Sequence, residues 1–199
     1  MNKTEELEKK IWSITEIFLE TKESFNYCKY FYQQPRESEE YKMANSDTHI
    51  QFIRFSLWRQ TIIGLSKLFS DKNTDKFKIR DFINRLKSDG YYGDQSLPSN
   101  LIIEWEKQID SHTILISDIL VLRDKIYAHT DPNKNEYQNI MVTFSSIESL
   151  MNILSNLIIK IHSIVFDSDF DLSLPSDSER IDLLSDLVAQ RKIKIEFYK

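Results

Sequence analysis

The stretch PSNLIIEWEKQIDSHTILISDILVLRDKIYAHTDPN, residues 98–133, decides the fold predicted for this chain of 199 residues. Pro98 suits the start of a helix, because its fixed φ and missing N–H cost nothing there. Apolar side chains then recur at helical spacing and predict one buried face: Leu101, Trp105, Ile109, Ile116, Ile119 and Ile126. We expect this helix to end near His129, since Asp131-Pro132-Asn133 cannot continue it.

Apolar residues at the same spacing predict further helices on both sides of this stretch. A first helix starts at about Thr4 and ends before the charged stretch that follows Pro35; a second starts near residue 46 or 47. Thr74 is expected to cap a short third helix, and a fifth covers residues 145–165. Residues 176–179 have the pattern of a capping box that opens a last helix. The fold class predicted is therefore all-α.

The predicted architecture is a single-domain bundle of five to six helices. We expect residues 1–166 to form this bundle. Residues 167–199 are expected to form an acidic linker and a C-terminal helix that packs on the bundle or on a partner. Gly64 lies inside the second helix, where glycine is unfavourable, and is expected to mark a close contact between helices.

The composition supports long helices and excludes several other classes of protein. Only 3 glycines and 4 prolines occur, too few for the turns of a sheet-rich fold. The net charge of -5 gives no general attraction to nucleic acid, so RNA binding would need a local basic patch. The single cysteine, Cys28, fits a reducing compartment. The absence of an apolar signal sequence or membrane-spanning stretch predicts a cytoplasmic protein without membrane contact.

The motifs of the common enzyme classes are absent from the sequence. There is no Gly-rich phosphate loop, no Gly-x-Ser-x-Gly turn and no Cys-x-x-Cys pair. A di-metal carboxylate bundle requires Glu-x-x-His on two helices, and none of the four histidines has a glutamate three residues before it. We therefore expect neither a metal nor a cofactor.

One segment, residues 122–131 (LRDKIYAHTD), concentrates groups that can carry chemistry at the end of an apolar helix. Arg123 falls on the same stripe as Ile116 and Ile126, so it should point inward and requires a carboxylate, a phosphate or a second subunit. His129 lies in the last turn, where the helix dipole favours its charged form. The same residues also fit a purely structural helix end, and both interpretations remain open at this point.

The spacing of these two residues restricts how they can act together. Six residues at about 100° each leave Arg123 and His129 about 120° apart around a regular helix. One regular helix therefore does not aim both side chains at one phosphate. A bent last turn, or a two-fold axis that brings a second copy of each, would solve this.

The pattern Arg-x5-His at a helix end resembles the signature of the HEPN superfamily. The string Leu122-Arg123-Asp124-Lys125, followed by Ala128-His129 and Asp131, resembles the abortive-infection AbiU-type branch. The second helix, with residues 56–59 (SLWR) and 68–71 (LFSD), is similar to the aromatic and apolar helix of that branch. The likeness covers roughly residues 5–165.

This resemblance implies a dimeric, metal-independent endoribonuclease of a defence or toxin–antitoxin system. It implies that Arg123 binds the scissile phosphate, that His129 transfers protons, and that Asp124 orients the site. In some HEPN toxins a tyrosine lies two residues after the histidine, and a partner protein modifies that tyrosine. In this chain Asp131 occupies that position, and the nearby tyrosine, Tyr127, lies before the histidine. The substrate-binding residues expected beside these are Lys125, Tyr127, Asp131 and Arg59.

The expected partners are an RNA substrate, a second copy of the chain and an antitoxin protein. Basic residues that could follow an RNA backbone crowd the predicted third helix: Lys76, Lys78, Arg80, Arg85 and Lys87. Two alternatives remain. One is a non-catalytic HEPN module that binds RNA or a nucleotide in the same cleft, and the other is a helical protein-interaction dimer.

Overall fold

In a computed structural model, the described residues are 2–72, 75–95, 97–127, 140–178 and 182–197, and no strand occurs in these ranges. The helices are α1 (Lys3–Tyr32), α2 (Glu39–Ser46), α3 (Thr48–Phe69), α4 (Ile79–Leu86), α5 (Ser99–Ser111), α6 (Thr113–Leu122), α7 (Phe144–Val165), α8 (Pro175–Ser178) and α9 (Leu183–Phe197). A short 3-10 turn covers Gly93–Gln95. The predicted all-α class is confirmed, and no helix in the described part of the chain is long and apolar enough to cross a membrane.

The described residues form more helices than the five to six predicted, first because the predicted helix over residues 98–129 is divided at His112. Polar side chains on either side of this residue bind backbone carbonyls. Ser111 Oγ donates to Gln108 O at 2.7 Å, and Thr113 Oγ1 donates to Asp110 O at 2.8 Å. Such local bonds compete with the helix backbone and allow the chain to change direction.

A second difference is α2, which the sequence interpretation treated as the charged end of the first helix. Ser38 caps α2 by accepting a hydrogen bond from Tyr41 N at 3.0 Å. Glu39 and Glu40 follow in the first turn, where acidic side chains complement the helix dipole. The charged stretch predicted to end the first helix therefore contains the start of α2.

Two predicted helix starts also differ. Helix α4 begins at Ile79 with Lys78 at its cap position, so Phe77 precedes the helix, and Thr74 lies outside the described residues. Residues 176–178 of the capping-box segment belong to the short helix α8, residue 179 lies outside the described residues, and α9 begins at Leu183. The predicted domain boundary between residues 166 and 167 stays a prediction.

The first of two compact units comprises Met1–Thr21 and Ile62–Leu172. The apolar stripe predicted for the first helix is fully buried here at Leu7, Ile11, Ile14 and Phe18. Trp105 is also fully buried, and its indole N–H donates to Asn156 Oδ1 at 3.0 Å, which joins α5 to α7. The same unit contains α6 and the segment that follows it.

The close helix contact expected at Gly64 is confirmed inside this unit. A Cβ atom at Gly64 would overlap the Thr21 hydroxyl, which donates a hydrogen bond to Ile17 O at 2.6 Å. Gly64→Ala should therefore lower the free energy of unfolding by about 1–3 kcal/mol, the usual cost of overpacking. Urea unfolding of Gly64→Ala, Thr21→Ala and the double variant checks this: the double variant should recover much of the loss, and strictly additive losses would contradict the contact.

The second unit comprises Lys22–Thr61 and Ser173–Lys199. Its core contains Phe31, Met43, Ala44, Ile50 and Leu184, so α9 packs on α2 through apolar side chains. The hydroxyl of Tyr30 accepts a hydrogen bond from Leu184 N at 3.0 Å, close to the start of α9. Cys28 is buried in this unit, and burial raises the pKa of its thiol to about 12.

Candidate functional site

The backbone leaves α-helical geometry at the first residue of the predicted site. Arg123–Tyr127 form a π-helical turn that continues directly from α6, and the Arg123 N–H is shared by the carbonyls of Ile119 and Leu120. Turns of this kind are rare and occur frequently at functional sites. The 120° separation expected between Arg123 and His129 assumed a regular helix, so it does not apply to this segment.

Arg123 lies partly inside the protein, with 21% of its side chain exposed. Its Nε lies 2.8 Å from Asp124 Oδ1, so the carboxylate that an inward arginine requires comes from the next residue. The contact is an ion pair by distance, but the buried Nε–H has no aligned hydrogen-bond acceptor in the described part of the chain. The arginine is therefore held close to a carboxylate without a complete hydrogen bond from Nε.

Asp124 places its carboxylate between two cations. Oδ1 lies beside Arg123 Nε, and Oδ2 accepts a hydrogen bond from Lys72 Nζ at 2.9 Å. Lys72 lies in the connection between α3 and α4, and about half of its side chain is exposed. The Arg123–Asp124–Lys72 cluster thus connects the π turn to a distant loop, and the loop position influences where Asp124 holds the arginine.

The other predicted site residues are distributed as follows. Lys125 and Tyr127 lie on the π turn and are partly buried. His129 and Asp131 lie outside the described residues. Arg59 is exposed on α3, in the second compact unit.

Lys72 is the site residue that the sequence interpretation missed. It lies 52 residues before Asp124, in a stretch whose sequence indicates only a turn. No periodicity or motif connects the two positions, since a turn lysine is usually a solvated surface charge. Only the packing of the first compact unit brings them together.

Three of the five basic residues proposed for RNA contact are paired with carboxylates. Lys78 pairs with Asp81 at 2.7 Å, Arg80 pairs with Asp110 at 2.6 Å, and Lys87 pairs with Glu106 at 2.6 Å. The last two pairs join α4 to α5. These cations therefore help to hold α4 in place, which makes them weaker candidates for phosphate contact than unpaired cations.

Two histidines outside the predicted site, His112 and His162, have structural surroundings, and the third, His49, is exposed on α3. His112 places Nδ1 2.8 Å from Gln108 O and Nε2 3.0 Å from Ser149 Oγ, which ties the α5–α6 corner to α7. His162 is buried and stacks on Phe170 with ring centroids 4.0 Å apart. Burial lowers the pKa of His162, and the charge of Glu8 partly opposes that shift. Within the ranges that the structure describes, no three His, Cys, Asp or Glu side chains are grouped as metal ligands.

Comparison with known proteins gives one match. The family model HEPN_AbiU2, described as AbiU2, matches residues 2–184. No curated protein and no solved structure matches this chain. The matched range includes Arg123, Asp124, Lys72 and His129, and it ends at the start of α9.

Proposed function

Since the chain belongs to the AbiU2 family of HEPN proteins, we propose that it is a metal-independent endoribonuclease of a defence or toxin–antitoxin system that acts as a homodimer. The observation that carries the proposal is the partly exposed Arg123 on a π turn, held beside the Asp124 carboxylate. A planar guanidinium is suited to bind two phosphate oxygens at once. An RNA phosphate is thus a chemically reasonable ligand for this side chain.

The proposed reaction uses the 2′-hydroxyl of the RNA as its nucleophile. His129 takes the proton from O2′ as this oxygen attacks the phosphorus atom, and the bond from phosphorus to the 5′ oxygen breaks as that oxygen receives a proton from a solvent water molecule. Arg123 stabilises the charge that grows on the non-bridging oxygens. The products are a 2′,3′-cyclic phosphate and a 5′-hydroxyl, and no step requires a metal.

Asp124 acts in this proposal as a positioning residue. Its carboxylate holds the Nε side of the guanidinium at 2.8 Å, so the two terminal nitrogens stay available for a phosphate. Lys72 fixes the other carboxylate oxygen and reduces the negative charge that an incoming phosphate meets. Lys125, Tyr127, Asp131 and Arg59 remain proposed substrate contacts. An antitoxin protein remains the proposed regulator.

One observation favours a second candidate function. A structural arginine requires a nearby carboxylate, and Asp124 already supplies one. In that case the segment only stabilises an interface, and the protein is a helical protein-interaction dimer. The two candidates differ in whether RNA is cut.

The deciding experiment incubates the purified protein with total RNA and with transfer RNA in EDTA, beside the His129→Ala variant. Cleavage by the original protein alone, with products that carry cyclic phosphate ends, supports the proposal. Absence of cleavage by a protein that is dimeric in solution contradicts the nuclease proposal. Retained RNA binding would then identify a non-catalytic binding module.

The ion pair between Lys72 and Asp124 predicts a small but specific effect on cleavage. Because both side chains are partly exposed, Lys72→Met should cost no more than about 1 kcal/mol of stability. Cleavage should fall by about two- to fivefold, mainly in kcat, because Arg123 loses orientation rather than charge. Lys72→Arg should retain the rate, and Lys107→Met, an exposed lysine on α5, serves as the control. Equal rates for Lys72→Met and the original protein would contradict the positioning role.

A further inference from the structure

A groove between α2 and α9 combines an apolar floor with two unpaired cations. We define the α2–α9 groove by its floor residues Met43, Ile50, Leu187 and Val188 and by its rim residues Lys42 and Arg191. It contains two cavities of about 320 and 390 Å³ that share Met43 and Arg191 as lining residues. All of these residues belong to the second compact unit.

The carboxylates that line this groove are already engaged. Glu39 pairs with Lys192 at 2.6 Å. Asp47 accepts hydrogen bonds at 2.9 and 3.2 Å from two backbone N–H groups in the first turn of α3, and these bonds lower the pKa of its carboxyl. Both acidic groups thus have partners of their own.

The two rim cations have no such partner. Lys42 and Arg191 are exposed, and neither makes an ion pair or hydrogen bond with a described side chain. Arg191 acts on Asp47 only through its longer-range charge. The groove therefore presents positive charge above an apolar floor, on a chain whose net charge is -5.

We propose that the α2–α9 groove docks an acidic amphipathic segment of a partner protein. The floor accepts the apolar face of such a segment, and carboxylates on its flank reach Lys42 and Arg191. This arrangement is the usual way in which a groove binds an amphipathic helix. Lys42 and Arg191 attract a strongly acidic partner, whereas the net negative charge of the whole chain does not.

Protein fits this groove better than nucleic acid does. A phosphate backbone carries a long row of regularly spaced negative charges, whereas the rim of this groove offers only the two cations Lys42 and Arg191. A peptide can place single carboxylates beside Lys42 and Arg191 and cover the floor with apolar side chains. The apolar floor also has no counterpart in a phosphate backbone.

The groove lies only partly within the region that the family match covers. The match ends at residue 184, whereas Leu187, Val188 and Arg191 lie further along α9. The α9 side of the docking surface therefore lies outside the matched region, whereas Lys42, Met43 and Ile50 lie inside it. It does not depend on the proposed nuclease activity, since none of its residues belongs to the Arg123–Asp124–Lys72 cluster.

Binding of a short fluorescein-labelled peptide, with leucines on one helical face and glutamates on its flanks, tests the proposal by anisotropy. The full-length chain should bind this peptide, and a peptide with glutamine in place of glutamate should bind at least about tenfold more weakly. The double variant Lys42→Glu/Arg191→Glu should show the same loss. Lys107→Glu, which reverses an exposed charge in the other unit, should bind the acidic peptide normally.

Three results would overturn the proposal. The first is absence of binding to the acidic peptide, and the second is equal affinity for the glutamate and glutamine peptides. The third is binding of a single-stranded RNA that the double variant loses while peptide binding stays unchanged. Thermal melting followed by circular dichroism confirms that the double variant is folded, which is expected because both substituted side chains are exposed.

Discussion

Substitution of His129 by alanine is expected to abolish RNA cleavage and to leave the fold intact. In the proposed reaction this side chain moves the proton of the 2′-hydroxyl, and general acid–base catalysis contributes about 10²–10⁴-fold to a rate. The loss should appear in kcat, because RNA affinity depends on cations that remain. Initial rates on transfer RNA in EDTA, with melting curves for both proteins, measure the effect.

The pH dependence of the original protein provides a second readout of the same residue. Histidine changes its charge between about pH 5 and 8, so the cleavage rate should change across this interval. The residual rate of His129→Ala should lack that change. The exposed His49 on α3 supplies a matched control, and His49→Ala should cut RNA at the original rate. A rate in His129→Ala equal to that of the original protein would falsify the nuclease assignment.

The long helices could be predicted because their apolar stripes extend over many turns. The expected helix over residues 145–165 is α7, Phe144–Val165, and the helix expected from residue 46 or 47 is α3, which starts at Thr48. In each case the buried face repeats often enough to outweigh single polar residues. The stripe from Leu7 to Phe18 is buried in the same way.

The breaks between helices could not be predicted, because they depend on local hydrogen bonds. The stripe that continues from Trp105 to Ile126 predicts one helix, yet Ser111 and Thr113 bind carbonyls of α5 and divide it at His112. Helix α2 depends on the Ser38 cap, which follows a proline and a charged stretch. A single cap decides between loop and helix in so short a segment.

In the candidate site, too, contacts between sequence neighbours could be predicted, and contacts between distant residues could not. Arg123 and Asp124 are neighbours in sequence, and a carboxylate is one of the three partners, with a phosphate and a second subunit, that an inward arginine was expected to require. The spacing left open a bent last turn, but it did not place a π turn at Arg123. The contribution of Lys72 was not expected, because it requires α6 and the α3–α4 connection to be packed together. Sequence spacing thus finds the groups that can carry chemistry but not the residue that positions them.

Substitution of Arg123 should produce the second large effect, and the nature of the new side chain should decide its size. Arg123→Ala removes the group proposed to stabilise charge on the phosphate, and loss of one such donor costs about 10²–10³-fold in kcat. Asp124 keeps its hydrogen bond to Lys72, so no unpaired carboxylate remains and the variant should fold. Arg36→Ala, an exposed arginine between α1 and α2, serves as the matched control.

Arg123→Lys separates charge from geometry at this position. Lysine keeps the positive charge but loses the planar fork, so it cannot face Asp124 with one nitrogen and a phosphate with two others. We therefore expect Arg123→Lys to bind RNA nearly as well as the original protein and to cut it almost as slowly as Arg123→Ala. If instead the original protein cuts no RNA, and Arg123→Ala shifts the monomer–dimer equilibrium with RNA affinity unchanged, the arginine is structural. The helical protein-interaction dimer would then be the better description of this protein.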